Sequence, residues 1–488
     1  MAISGTHKAH GAPQLTTARA AALYIGALLG PGLLLLPGLA AAEAGPASII
    51  AWLALLALSG MLAAVFAAWG RNSPSAGGVI GYVTAGLGPR AGLAAGWMFL
   101  AGVVCGAPLV CLIGASYVTG LTGGGQLGRA AVAAALLLSV VGLAACGLRA
   151  SAAAQLVLVT MLTIVVVVAS TGSAGSARAS NWFPFAPHGW LSIGSAAATL
   201  MFSFVGWEAV APLTTRLQYP RRQLPRVVAL ALAVTSAVYL GLAVATIGVL
   251  GPQAASDVPL AGLLSHAIGA AGGDVAAATA VVLTLGTTNA YINGAAAMAG
   301  HLAGETSDSR AARPLRWLLA AVTAAGLLLI SLYGLGMVSA AALVAVPTAL
   351  FLAVYLGAMV AAARALRGPV RLVALPAALA VIIVLGFCGW ALTIPAAVAL
   401  TVGWRHRVQY RRRPSLQVDA EAATDWCQLG AGPGRVVAGT ELVAASTGRL
   451  GLPGIGGCKT AASTSAITPA SAQADKISSG STMAWLLK

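Results

Sequence analysis

Two apolar runs in this sequence carry residues that an ordinary hydrocarbon-facing helix does not use. The first, 20–42, holds Gly26, then Gly30-Pro31-Gly32, then Pro37-Gly38. Proline lacks a backbone donor and its ring clashes with the preceding turn, while glycine tolerates open backbone. The spacing predicts an unwound segment around Gly30, with a simple kink as the plainer reading. The second run, 189–213, holds Phe202-Ser203-Phe204-Val205-Gly206-Trp207-Glu208-Ala209, with Pro212 following. Glu208 is the only acid well inside any apolar run. An acid in hydrocarbon costs about 2.5–3.5 kcal/mol on insertion scales, and such residues mark pathways or proton relays. The plainer reading is a buried acid held by backbone donors.

The chemistry these segments offer follows from their free backbone groups. N–H groups at a half-helix N-terminus suit a carboxylate, and carbonyls at a C-terminal end suit an ammonium. One group of each kind is what the zwitterionic end of an amino acid requires. The interruptions also occupy matching places, the first and sixth apolar runs. An odd repeat of five runs inverts the second copy, and inverted repeats with broken helices point to a midplane binding site. Unwound backbone at membrane depth survives only where protein or a water-filled cavity covers it.

The elements that must position these segments are membrane helices. Only 8% of the 488 residues are charged and 59% are hydrophobic, whereas a soluble chain carries roughly 25% charged residues. Most of the surface therefore faces the lipid bilayer. The net charge of +16 does not point to nucleic acid, because the basic residues sit in short connectors without an aromatic-studded basic face. They read as topology-setting charges that also attract anionic lipid. Six cysteines form no CxxC pair and no metal-ligand spacing. Cys105, Cys111, Cys146 and Cys388 lie in apolar runs as small hydrophobes, so no metal, cofactor or redox chemistry is expected. Residues 1–16 are polar, and the first apolar run is long enough to remain as an anchor rather than be cleaved.

Eleven apolar runs are legible: 20–42, 47–69, 91–119, 130–147, 152–170, 189–213, 227–250, 275–303, 317–336, 338–363 and 372–404. A helix needs about 20 such residues to cross the bilayer. The last run, at about 50 Å as one helix, is too long for a single upright span. Gly386 and Gly389 offer a turn, so two short helices and twelve spans are expected. With the N-terminus in the cytoplasm, 15 of the 17 Lys and Arg before residue 405 fall inside, and only Arg129 and Arg178 fall outside. The cluster Arg405, Arg407, Arg411, Arg412, Arg413 joins the majority only if the last run crosses twice. This asymmetry predicts both termini in the cytoplasm. The expected division is a cytoplasmic N-terminus over 1–16, a transmembrane domain over 17–404, and a disordered cytoplasmic tail over 405–488, rich in Ser, Thr, Gly and Ala.

Four segments together resemble the amino acid–polyamine–organocation (APC) superfamily of transporters, with bacterial exporters of methionine and branched-chain amino acids as the nearest likeness. They are LLGPGLLLLP (Leu28–Pro37), SPSAGGVIGYVTAGLGPRAGLAAGW (Ser73–Trp97), FVGWEAV (Phe204–Val210) and YPRRQLPRVV (Tyr219–Val228). The likeness runs from about residue 16 to 404. It implies an all-α LeuT-type fold, a five-plus-five inverted repeat with two additional helices. It also implies that backbone around Gly30–Gly32 and Phe204–Glu208 contacts substrate, and that Ser73–Trp97 forms a mobile cytoplasmic amphipathic loop. Trp97, Gly106 and Pro108 match the family pattern, although a tryptophan near a helix end also serves as an interfacial anchor.

The resulting expectation is a secondary carrier of neutral, mostly apolar amino acids in the bacterial inner membrane. The substrate-binding candidates are Gly26, Gly30, Pro31, Gly32, Phe204, Gly206, Trp207 and Asn289, with Glu208 as gate or proton site. Asn289 follows Thr287 and Thr288 in the eighth run, where polar groups either bind a ligand or bond across helices. Export by proton antiport is what the resemblance implies, with uptake by proton or sodium symport and a non-transporting sensor as the alternatives. An intramembrane enzyme needs paired Asp residues, an HExxH helix or a GxSxG turn, and none is present. A channel needs rings of like charge or a filter loop. No protein partner is specified.

Overall fold

The protein is described from a computed structural model, covering residues 16–72, 78–147, 152–209, 217, 219–302 and 312–412. Expectations for 1–15, for the tail beyond Arg412, for Ser73–Gly77 and for Pro212 lie outside the described residues. Two compact units are distinguished, Met1–His406 with Gly480–Lys488, and Arg407–Ser479. Of the second, only the end of the last helix is described.

Among the described residues the chain is helical. In order come α1 (Thr17–Leu28), α2 (Gly32–Ala44), α3 (Ser48–Asn72), α4 (Gly78–Leu87), α5 (Pro89–Thr122), α6 (Gly125–Ala145), α7 (Ala152–Gly172) and α8 (Ser192–Leu200). They are followed by α9 (Pro220–Leu250), α10 (Pro259–Ile268), α11 (Ala271–Leu302), α12 (Ala312–Gly334), α13 (Ala340–Ala365), α14 (Pro369–Gly386) and α15 (Thr393–Arg412). Local chemistry sets several starts. The Thr16 hydroxyl accepts from the Arg19 N–H and the Ser339 hydroxyl from the Ala342 N–H, each satisfying a donor that a helix leaves unpaired. Pro89, Pro220, Pro259 and Pro369 open their helices, where the missing N–H costs nothing.

Among the described residues, nine helical runs are long and apolar enough to cross a membrane, one of which, Gly32–Arg71, joins α2 and α3. Counting those two apart, and adding the shorter Ser192–Phe204 and Gly389–Trp404, gives the twelve expected spans. Span 1 is α1 with α2, and span 6 begins with α8. The long run 372–404 is indeed two helices, α14 and α15, divided at Gly386 with Gly389 at φ +54° in the turn. The described part of the segment expected as a cytoplasmic amphipathic loop from Ser73 to Trp97 is mostly helical. Its middle forms α4, and Arg90 and Trp97 belong to α5.

The packing pairs the first four spans each with the counterpart five spans later. Span 1 meets span 6 through α2 and α8, span 2 meets span 7 through α3 and α9, span 3 meets span 8 through α5 and α11, and span 4 meets span 9 through α6 and α12. An inverted repeat about an axis in the membrane plane has this consequence. The most extensive pairing is α5 with α11. Small residues allow it: Gly114 of α5 sits against Thr284 of α11, whose hydroxyl donates to the Val110 carbonyl at 3.3 Å. Close backbone approach of this kind is what drives association where lipid removes the hydrophobic incentive. α13 closes the arrangement by packing on α5, α4 and α14.

Candidate functional site

Span 1 is interrupted where the sequence predicts. α1 ends at Leu28, Leu29 is extended (φ −81°, ψ 96°), and α2 restarts at Gly32 after Pro31. The linker is secured by short-range bonds, Leu33 N–H to the Gly30 carbonyl at 3.2 Å and Leu34 N–H to the Pro31 carbonyl at 3.0 Å. Span 6 is interrupted one residue past the 3₁₀ turn Met201–Phe204. Val205 is extended (φ −75°, ψ 139°), Gly206 has φ +134°, and Trp207–Ala209 form a single 3₁₀ turn. Gly206 has no replacement there. Its φ suits glycine, and a Cβ on it would stand 2.5 Å from the Ala27 carbonyl oxygen of α1.

Backbone groups released by the breaks are taken up by tyrosines from distant parts of the chain. The Tyr239 hydroxyl on α9 lies 2.8 Å from the Leu28 carbonyl and 2.7 Å from the Ser203 carbonyl, so one donor serves both breaks. Tyr24 on α1 donates to the Trp207 carbonyl at 3.0 Å. Tyr117 on α5 donates to the Leu34 carbonyl, one turn before Pro37, at 2.6 Å. Tyr355 on α13 accepts from the Gly206 N–H at 2.9 Å and donates to Glu208 Oε2 at 2.5 Å, and that same oxygen accepts from Gly206 N–H at 3.1 Å. Buried backbone groups rarely stay unpaired, and a phenol reaches them across a helix interface without bringing a charge.

A cavity of ≈ 50 Å³ lies between the breaks, room for a few waters. Gly30, Pro31 and Gly32 line it, with Gly102, Val103 and Gly106 of α5 facing them. Phe202, Ser203 and Val205 come from span 6, Thr288 and Tyr291 from α11, and Phe351 from α13. Among the described residues the lining side chains are apolar except for hydroxyls, with no carboxylate, ammonium or guanidinium. Ser203 Oγ and Thr288 Oγ1 are buried without a hydrogen-bond partner. Such orphaned groups are rare, and both of these border the cavity. Ser203 Oγ also lies 2.8 Å from where a Gly32 Cβ would stand, so the hydroxyl sits directly at the start of α2.

The remaining sequence candidates take other places. Phe204 is buried away from the cavity lining, its ring 5.9 Å from Trp52 and 5.0 Å from Tyr239. Trp207 is 1% exposed, donates through Nε1 to the Ser59 hydroxyl at 2.7 Å and meets the Tyr24 ring edge-on at 5.5 Å. Gly26 faces Val159 of α7. Asn289 is buried, with its side-chain oxygen and carbonyl bonded by Asn293 at 3.0 and 2.8 Å, while its neighbour Thr288 faces the cavity. Trp97 and Trp317 lie 6.3 Å apart and are both partly exposed. Ser203, Tyr291, Phe351 and the tyrosine braces were not singled out from sequence. Neither was Glu43, just past the first apolar run, whose carboxyl accepts from Thr199 at 2.7 Å. Among the described residues, no three His, Cys, Asp or Glu side chains meet as a metal site.

Comparison with known proteins agrees with this geometry. Residues 15–424 match the family model described as amino acid permease. The chain is 32% identical over 397 residues to the uncharacterized amino acid permease YecA of Bacillus subtilis (strain 168), covering 79% of this chain and 93% of that protein. It is 29% identical over 390 residues to the L-methionine/branched-chain amino acid exporter YjeH of Escherichia coli (strain K12), covering 77% and 92%. The crystal structure of MhsT in complex with L-phenylalanine superposes with a TM-score of 0.51 at 17% identity, covering 80% of this chain and all of that one. That likeness gives the fold, the LeuT type. A multi-pass membrane protein with these two interrupted spans and this match across most of its length belongs to the amino acid permease family of the APC superfamily.

Proposed function

We infer that this protein carries neutral, mostly apolar amino acids across the bacterial inner membrane as a proton-coupled exporter, with both termini in the cytoplasm. The observation that carries the reading is the composition of the cavity between the breaks. Its apolar walls and two orphaned hydroxyls accept an aliphatic or thioether side chain, whereas a guanidinium or second ammonium finds no carboxylate among the lining residues. An unpaired charge in such a place is strongly disfavoured. The N-terminal end of α2 at Gly32 faces the carboxylate, where a helix dipole favours negative charge, and Ser203 donates beside it. The cavity is smaller than an amino acid, so Phe202 and Phe351 move aside as substrate enters.

Glu208 is the proton-exchanging group. It stands beside the break of span 6 and shares its Oε2 with Tyr355 and the Gly206 N–H, so a change in its charge alters the contact between span 10 and span 6. The likeness to the exporter YjeH favours export, and the likeness to the permease YecA leaves room for uptake by the same site. The test is a radiolabelled amino-acid panel in proteoliposomes, with proton and sodium gradients imposed separately. Leucine, isoleucine, valine and methionine are expected to move against an opposing proton gradient. Better competition by arginine or lysine than by leucine overturns the substrate assignment, and drive by sodium alone overturns the coupling.

A further inference from the structure

Glu43 has no part in the site above, and its surroundings need a cause. It lies in the last turn of α2, on the opposite side of the cavity from Glu208. Its Oε1 accepts the Thr199 hydroxyl of α8 at 2.7 Å, and its main-chain carbonyl lies 2.9 Å from His188 Nδ1 in the loop before α8. Its Oε2 is buried and has no hydrogen-bond partner. A carboxylate in that position meets the negative end of the α2 dipole and leaves a buried oxygen without a donor. Burying an unpaired charge costs far more than burying a neutral hydroxyl.

Among the described residues, no cation forms an ion pair with Glu43. α8, the turn Gly45–Ala47, the 3₁₀ turns Met201–Phe204 and Gly251–Ala254 carry no titratable side chain. α3 carries its one charge, Arg71, at its far end. On α5, the Tyr117 hydroxyl is taken by Leu34, Cys105 and Cys111 lie along the middle of the helix, and Arg90 stands at the opposite end. α9 carries Tyr239 at the breaks and Arg221, Arg222 and Arg226 in its opening turns. α10 carries His266, bonded to its own Gly262 carbonyl, and Asp257 before it is paired with Arg129. The loop before α8 carries Arg178, whose N–H is bonded to the Gly248 carbonyl at the end of α9, and His188, the titratable group next to Glu43.

We propose that Glu43 is a second proton-binding carboxyl, and that its protonated form holds α2 and α8, the half-helices of spans 1 and 6 beyond the cavity, together. The proton comes from water on that side and resides on Oε2, while Thr199 donates to Oε1. Loss of the proton leaves a charge that only water can satisfy, and the two half-helices part to admit it. The inference rests on the transport reading for its consequence, since it makes opening of this face a proton-dependent step distinct from Glu208. Its test does not depend on transport.

Hydrogen exchange of the purified full chain, read by mass spectrometry over 33–47 and 192–204 at pH 5.5 and pH 8 and corrected for intrinsic exchange, reports the contact. In the wild type, protection of both segments is expected to fall about tenfold at the higher pH, a local opening. In Glu43→Gln, protection is expected to stay high at both. Should that variant fail to fold, Glu43→Met tests the same point. A wild type without the pH effect, or a Glu43 variant that keeps it, overturns the proposal. So does loss of the effect in His188→Ala with Glu43 intact, which assigns the proton to the histidine.

Discussion

The chain breaks span 1 by removing backbone bonds and span 6 by supplying better partners. At Gly30-Pro31-Gly32, proline deletes a donor, and nothing occupies the space beside Gly30 within 4 Å. At Val205-Gly206 every backbone donor still exists, but Gly206 N–H turns to Tyr355 and Glu208, and its φ of +134° holds the chain against α1. The first break is a local property of its residues. The second exists only because spans 1 and 10 come to meet it. A break of the first kind stays open in any conformation, whereas one of the second kind changes when its partners move or change charge. On the proposed reading, the break in span 6 is the one that answers to the charge of Glu208, while the Gly30 break is set by its own residues.

That contrast orders the expected effects of substitution. The largest falls on Gly206. In Gly206→Val the left-handed conformation costs about 1–3 kcal/mol, and the side chain meets the Ala27 carbonyl, adding an overpacking penalty of about the same size. Little monodisperse protein is expected by size-exclusion chromatography, and a normal yield with normal transport breaks the claim that this contact fixes span 6.

Next comes Glu208→Gln, which keeps shape and hydrogen-bonding capacity in a permanently neutral group. Binding of leucine is expected to persist while most of the dependence of transport on pH or on a proton gradient disappears. A folded variant with unchanged pH-dependent transport leaves Glu208 as scaffold. Tyr239→Phe then tests the shared brace. Its hydroxyl serves carbonyls at both breaks, and leaving them orphaned costs about 1–3 kcal/mol, readable as a lowered unfolding temperature in detergent with transport reduced several-fold. Smallest is Gly30→Ala, whose methyl enters open space. Stability is expected to stay within about 0.5 kcal/mol, with any change confined to a preference for smaller substrates in the amino-acid panel.

The same contrast explains what could be read from sequence. The Gly-Pro-Gly break, the lone acid at Glu208, the twelve spans and the turn at Gly386–Gly389 are local features, written in residue type and run length. The identity of the lining residues is not. Phe202 faces the cavity and Phe204 does not, because α8 tightens into the 3₁₀ turn Met201–Phe204, where two positions differ by about 120° about the axis and an α-helical period assigns the wrong face. Thr288 lines the cavity rather than Asn289 because one residue is a 100° rotation about α11. The braces join residues far apart in the chain, such as Tyr24 to Trp207 and Tyr355 to Glu208, which no window of sequence brings together. A signal was nonetheless present: tyrosines within otherwise aliphatic runs carry hydroxyls that must find acceptors. Glu43 escaped notice because an acid in a last turn reads as interfacial until Thr199 is placed beside it.

The tightness of the cavity has an electrical consequence. An ion crossing a membrane through a protein needs an unbroken file of water or polar groups, and here the file is reduced to a few waters walled by Phe202, Phe351 and close-packed glycines of α5. On the proposed function, a space this tight between the breaks would insulate the empty protein, and leak would be confined to the moments when an amino acid parts the walls. Enlarging the cavity at Phe202 would trade that insulation for speed, since a wider resting space admits substrate sooner and also admits the water along which protons leak.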